Sequence, residues 1–281
     1  MNSVNPLGTL DAAAFEHYQT QGTEAQKNTL KALKRAVRKK EIPEVLAALH
    51  TATSLDLSND PWSQKKPGLD LLLVVPFTQI KALKLDVNEL QGTELFSRFQ
   101  NLETLEVRSC LLQNIDFVKS LPQLKILAID DNTLTKLESV ARLLNLTSLS
   151  FGRNQLRSLD PLSALAQLVE LNGNENNISS CAALAALKGL KKLSLAQNMI
   201  DDLRPLANLR QLRSLDLQGN KLDTLSDLQD LNNLETLDVR QNRLRDVKAL
   251  KNLDMLSRAG LSGNPLHDED YEVLRRSVSI F

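Results

Sequence analysis

Apolar residues recur through most of this chain at one fixed spacing. From Ile80 onward the pattern L-x-x-L-x-L-x-x-N-x-L returns every 22 residues, opening at Ile80, Leu102, Leu124, Leu146, Leu168, Leu190, Leu212, Leu234 and Leu256. The x-L-x-L-x stretch alternates with period two, which predicts a short strand with leucines inward and their neighbours outward. Downstream the apolar residues return at steps of three, as in Leu156, Leu159, Leu162 and Leu165, and this fits a tight 3₁₀-like return. One repeat cannot bury its own leucines, whereas stacked repeats bury them as a continuous column. Eight residues after each start stand Asn88, Cys110, Asn132, Asn154, Asn176, Asn198, Asn220, Asn242 and Asn264. The asparagines read as a structural ladder whose amides satisfy backbone groups at the bend that leaves each strand. Cys110 takes that place as a weaker donor, and Cys181 holds an inward apolar position. Both thiols read as buried fillers rather than nucleophiles.

The stretches NQLRSLDPLSALAQL and NMIDDLRPLANLRQL resemble the NxLxxLxxLxxLxxL signature of the leucine-rich repeat family. The resemblance is to its 22-residue class, shared by a regulatory subunit of protein phosphatase 1 and the bacterial internalins, and it covers about residues 80–281. It implies an α/β solenoid, a leucine-rich repeat horseshoe. A parallel sheet would line the concave face, and 3₁₀ or short helical segments the convex side. It also implies a protein-binding scaffold, without naming what is bound.

Both ends depart from the repeat, as a solenoid that must close its apolar column requires. Thr23-Glu24-Ala25-Gln26 is a capping box that predicts a helix to about Lys40, with Leu30, Leu33 and Val37 on one face. Pro43 opens a second helix in its first turn. Ala52 then begins a degenerate repeat, 28 residues before Ile80, with a six-residue excess around PWSQKKPG. At the other end Asp268, Glu269 and Asp270 suit a helix start and Arg275 and Arg276 its end, so His267 reads as a helix neighbour, not a metal ligand. Tyr271, Val273 and Leu274 are placed to cover the last repeat. The expected organisation is a helical N-terminal cap at 1–51, an atypical first repeat at 52–79, 22-residue repeats over 80–266, and a short helical C-terminal cap at 267–281.

Composition sharpens this picture. Aromatics are only 4% of the chain, so leucine fills the core. Lys and Arg total 34 against 34 Asp and Glu, a balance that disfavours nucleic acid or an anionic membrane as main partner. Two cysteines make no disulfide framework. No secretion signal or membrane-spanning run is read, so the expected address is the cytosol, with signal-peptide-independent export as the alternative. The helix predicted from Thr23 carries Lys27, Lys31, Lys34, Arg35, Arg38, Lys39 and Lys40, either a recognition element or the solvated face of a cap.

Side chains two, four and six residues after each start point out of the sheet. There Lys84–Glu106, Asp86–Arg108–Asp130 and Glu170–Lys192 are placed to pair across neighbouring strands. Asp216 and Asp238 are like charges on adjacent strands. Arg240 and Arg258 are the available compensation, and a Lys or Arg of a partner is the functional alternative. The middle of the face is small and polar, with no exposed aromatic anchor, and Leu111 and Met199 are the nearest exposed apolar residues. Candidate partner-binding residues are Ser150, Asn172, Asn174, Ser194, Asp216, Gln218, Asp238, Arg240 and Arg258.

No nucleophile, base and orienting group converge, and His17, His50 and His267 lie outside the repeat face. No phosphate loop, dinucleotide fingerprint, CxxC pair or HExxH helix is present. The reading is therefore a non-catalytic scaffold, monomeric and without cofactor or metal, that binds a partner protein on the concave face. A translocated bacterial effector or internalin-like binder of host proteins is the alternative. A phosphatase-regulator-like adaptor is suggested by resemblance alone, since that role's characteristic aromatic and acidic positions are here Ser, Asn and Gly.

Overall fold

The computed structural model describes residues 10–60, 62, 66–272, 274 and 278–281. They belong to two compact units, Met1–Asn132 and Thr133–Phe281.

The first unit opens on α1 (Ala12–Gln21), which the periodicity did not reveal. The Asp11 carboxylate caps it by accepting from Ala14 N–H at 2.8 Å, and Phe15 is its buried anchor. α2 (Glu24–Val37) begins with the capping box of Thr23 and Gln26 and buries Ala25, Thr29, Leu30, Ala32 and Leu33. It stops short of Lys40 because Arg38 turns left-handed, at φ 55°, and its N–H bends back to the Lys34 and Arg35 carbonyls. α3 (Ile42–Thr51) carries Pro43 in its first turn. Strands Ser54–Asp56, Ala82–Lys84, Thr104–Glu106 and Ile126–Ala128 follow, parallel and in register, so Leu55, Leu83, Leu105 and Leu127 stack as one buried column.

The excess of the first repeat has a task that spacing alone did not show. Gly68–Asp70 forms a separate parallel pair with Glu89–Gln91 and seats α2. Asp70 N–H donates to Thr29 Oγ1 at 2.9 Å, and Gln26 Nε2 donates to the Asp70 carboxylate at 3.1 Å.

In the second unit, strands Ser148–Ser150, Glu170–Asn172, Lys192–Ser194, Ser214–Asp216, Thr236–Asp238 and Arg258–Gly260 are spaced at the 22-residue period, with 3₁₀ segments such as Asp160–Leu162 and Arg204–Leu206 between them. Where the leucine column would continue at Gly173, the ring of Phe151 occupies the space. A Cβ on Gly173 would lie 2.4 Å from that ring.

The C-terminus is closed differently from the expected helical cap. α4 (Asp268–Tyr271) is a single turn, started by His267 N–H donating to the Asp270 carboxylate at 2.8 Å. Leu274 is buried, while Val273, Arg275 and Arg276 lie outside the described residues. The last sheet edge is covered instead by a strand, Ser279–Ile280, pairing in parallel with Arg258–Gly260. This satisfies an edge that would otherwise present unpaired backbone groups.

Most ladder asparagines work in two directions. Asn176 Nδ2 lies 3.1–3.2 Å from the carbonyls of Phe151, Gly173 and Asn174, while its Oδ1 accepts from Leu156 N–H at 3.0 Å. Asn198, Asn220 and Asn242 repeat this pattern, each tying its own bend to the preceding repeat. Asn264 does so only partly buried, and Asn132 shows both halves in the first unit. Asn154 accepts from Leu134 N–H at 3.0 Å, and Asn88 donates to Leu57, Leu85 and Asp86 carbonyls. Cys110 keeps only the donor half, its thiol 3.2 Å from the Leu85 and Arg108 carbonyls. The segment that would have used the missing acceptor, Glu89–Gln91, is held by its pairing with Gly68–Asp70.

Candidate functional site

The outward positions of the second unit's strands are linked side chain to side chain. Asn172 Nδ2 donates to Ser150 Oγ at 3.1 Å, and Asn174 N–H donates to Asn172 Oδ1 at 3.2 Å. Asn174 Oδ1 in turn accepts from Ala196 N–H at 2.7 Å. Ser194 Oγ lies 2.8 Å from Asn174 Oδ1 and 3.1 Å from the Asp216 carboxylate, so its single proton serves one of them at a time. These side chains, with Ser148, Ser214 and the Glu170–Lys192 ion pair at 2.6 Å, line a groove of about 450 Å³.

Asp216 ends this groove. It sits opposite Asp238 in register, the like-charge pairing read from the sequence. The two carboxylates have different surroundings. Arg240 grips Asp238, with Nε at 3.0 Å and a terminal nitrogen at 2.6 Å. Among the described residues Asp216 has no ion pair, and takes only neutral donors, the Ser194 hydroxyl and Gln218 N–H, each at 3.1 Å. Burial pushes the Asp216 carboxyl above its ordinary pKa; the Asp238 charge adds to this, and the two hydrogen bonds only partly offset it. Arg240 is pinned in its charged form by its hydrogen bonds to Asp238. Its guanidinium also reaches Gln218 Oε1, at 3.4 Å.

Two expectations need correction. Arg258 does not neutralise the carboxylates; its guanidinium lies over the Phe281 ring at 5.4 Å, and that of Arg240 lies over the same ring at 5.0 Å. The sheet face therefore does carry an aromatic, since the closing strand brings Phe281, 40% exposed, against Gly260 and the two arginines. The signal was the S-x-S-I-F alternation at the chain's end, hidden by the expectation of a helix there. Ile126 is also exposed on the first unit's sheet face, in addition to Leu111 in that unit and Met199 in the second.

The first unit's face is occupied by ions. Lys84 meets Glu106 at 2.9 Å, and Arg108 meets Asp86 at 2.9 Å and Asp130 at 3.4 Å, as the lateral spacing predicts. Arg108 also binds Glu106. Burial, with a smaller contribution from the Glu106 charge, raises the Asp86 carboxyl against the lowering effect of Arg108. Burial opposes the Glu106 carboxylate too, but hydrogen bonds from Lys84 and Arg108 bring that one below the usual range. Burial raises both thiols, Cys110 to about 11 and Cys181 to about 12, as expected of inert packing residues. Among the described residues no cluster of His, Cys, Asp and Glu could hold a metal, and no helix is long and apolar enough to cross a membrane.

Residues 188–232 and 210–252 match the family Leucine Rich repeats (2 copies). No curated protein matches the chain. Among solved structures, internalin C2 from Listeria monocytogenes is similar with a TM-score of 0.65 and 25% identity, over 84% of this chain and 92% of that one. The leucine-rich repeat ectodomain of the plant membrane receptor kinase GASSHO1/SCHENGEN3 from Arabidopsis thaliana, in complex with CASPARIAN STRIP INTEGRITY FACTOR 2, gives a TM-score of 0.67 at 24% identity. That match covers 85% of this chain but 33% of the receptor chain. A PEPR1–AtPEP1 structure gives a TM-score of 0.64 at 21% identity, over 82% of this chain and 34% of that one.

Proposed function

From a chain that is built of leucine-rich repeats, we propose a non-catalytic protein-interaction scaffold whose second-unit sheet face grips a partner segment. The observation that carries this reading is the groove ending at Asp216, a half-buried carboxylate with neutral donors only. A Lys or Arg of the partner supplies the missing counter-charge, while Ser150, Asn172, Asn174 and Ser194 offer hydrogen bonds along the floor. Gln218, Asp238, Arg240, Arg258 and Phe281 form the neighbouring rim, the last an aromatic contact of the kind that dominates tight interfaces. The asparagine ladder serves the site indirectly, by holding each strand to the next.

A photo-crosslinking amino acid at Ser150 or Ser214 tests the reading. Crosslinks to a discrete partner from these positions, absent from Asp223 on a return segment and weakened by Asp216→Asn, are expected. Equal crosslinking from both sides of the solenoid sinks it. The likeness to internalin C2 over 84% of this chain favours a second reading, a binder of host proteins that reaches its target by export. Crosslinks formed in host lysate but not in lysate of the native organism select that version; the converse selects an adaptor of the cell's own machinery.

A further inference from the structure

A cationic stripe on α2 faces two adjoining cavities in the first unit, and the sheet-face scaffold does not use it. Asn28, Lys31 and Arg35 line one cavity of about 450 Å³, opposite Asn59 and Pro67; Arg35, Arg38 and Asn59 line the next, of about 630 Å³. Arg35 and Asn59 are common to both, so the two form one trench along the helix. Among the described residues Lys31, Arg35 and Arg38 have no ion pair, although Lys39 of the same segment pairs with Glu44 at 3.6 Å. Arg35 is steered to the trench by its hydrogen bond to the Ser58 carbonyl at 2.5 Å. On the opposite wall of the second cavity Asp86 is paired with Arg108 and Glu106 with Lys84, which leaves Asp56 as the acid without an ion pair among the described residues. A solvated capping helix needs basic residues near its C-terminus, but it does not need them arrayed along a cavity.

We propose that this trench is a second docking surface, and that its occupant is an extended acidic segment of a partner protein. From Asn28 to its end at Val37 the helix rises about 14 Å, with Arg38 just beyond, room for about four extended residues. Lys31 and Arg35 are one helical turn apart, about 6 Å, close to the roughly 6.7 Å between alternate side chains of an extended strand. Acids at alternate positions therefore meet successive cations. The half-buried carboxamides of Asn28 and Asn59, on opposite walls, can donate to and accept from the segment's backbone. Asp56, which has no ion pair among the described residues, opposes the continuous phosphates of a nucleic acid at the far end, whereas a peptide places charge only where cations wait.

The test is fluorescence anisotropy with the full chain and a fluorescein-labelled Ser-Glu-Ser-Glu-Ser-Glu-Ser peptide. The Glu peptide is expected to bind at least about tenfold more tightly than its Gln counterpart, and to weaken as NaCl rises. Lys31→Gln with Arg35→Gln should weaken it about tenfold, with circular dichroism and Tm unchanged, because both side chains are exposed. Asp216→Asn should leave it unaltered, which separates this surface from the sheet-face site. Asn28→Ala gives an uncharged second probe, expected to weaken both peptides alike. Equal binding of the Gln peptide, indifference to the double substitution, or tighter binding of a seven-residue oligothymidine would each overturn the proposal.

Discussion

At Gly173 two side chains share one place in the core. The Phe151 ring fills the volume that a leucine occupies in other repeats, and a Cβ at 173 would stand 2.4 Å and 2.6 Å from its atoms. Gly173→Ala alone should cost about 1–3 kcal/mol by overpacking. Adding Phe151→Leu should recover part of that loss, because the ring is what the methyl meets. Urea unfolding of the two single variants and the double one checks the coupling, and strict additivity would refute it. Asn176→Ala should cost about 3 kcal/mol, since the Phe151, Gly173 and Asn174 carbonyls and the Leu156 N–H lose their partner in a dry bend. Asp216 acts in the opposite sense. Its folded pKa lies above the unfolded value, so the protonated form stabilises the fold, and that contribution is lost as pH rises through the folded pKa. Asp216→Asn should therefore raise Tm at pH 7 and leave it unchanged or lower near pH 3. A partner's lysine demands the ionised form, so binding at this site should strengthen over the same rise in pH and release a proton, measurable by calorimetry in two buffers.

Among the elements, the least regular one seats the cap. Gly68–Asp70 comes from the excess that interrupts the first repeat, and it receives α2 through Thr29, whose hydroxyl donates to the Ala25 carbonyl at 2.8 Å and accepts from Asp70 N–H. Thr29→Val keeps the shape and removes both bonds, leaving a buried N–H unpaired at a cost of about 1–3 kcal/mol. Faster hydrogen exchange along α2 is the expected readout; unchanged exchange would mean that packing of Leu30 and Leu33 alone holds the helix. This element shows how far sequence reading reached. Period and register were legible from position 80 onward because every repeat asks the same burial of the same leucine, and the lateral pairs Lys84–Glu106 and Glu170–Lys192 followed from that register. The seat of α2 was not legible, since Thr29 to Asp70 is a tertiary contact with no periodic signature. The closing strand was masked: the acidic run at Asp268 signals a helix start, which outweighs the short S-x-S-I-F alternation that returns Phe281 to the sheet.

For the molecule as a whole, zero net charge conceals two different surfaces, an ion-paired face in the first unit and a hydroxyl- and amide-lined groove in the second. Each unit also carries one buried thiol, Cys110 in the first and Cys181 in the second, with pKa values raised to about 11 and about 12 by burial. An unfolded cysteine titrates near pH ~8.5, so folding raises proton affinity at both sites. Stability from this source is complete below the unfolded pKa and is lost as pH climbs through 8.5 toward the folded values. Wild-type Tm should therefore fall on the alkaline side, and Cys181→Ala should flatten that fall even if it lowers Tm at pH 7 by leaving a small cavity. At pH 8 neither thiol should react with an aromatic disulfide reagent in the native protein, because the thiolate is scarce and the sulfur is covered. In urea, Cys110 (read in Cys181→Ala) and Cys181 (read in Cys110→Ala) each become reactive when their own unit opens. A thiol that reacts in the native state at the rate of a free cysteine would show that its repeat is not packed as the asparagine ladder and leucine column require.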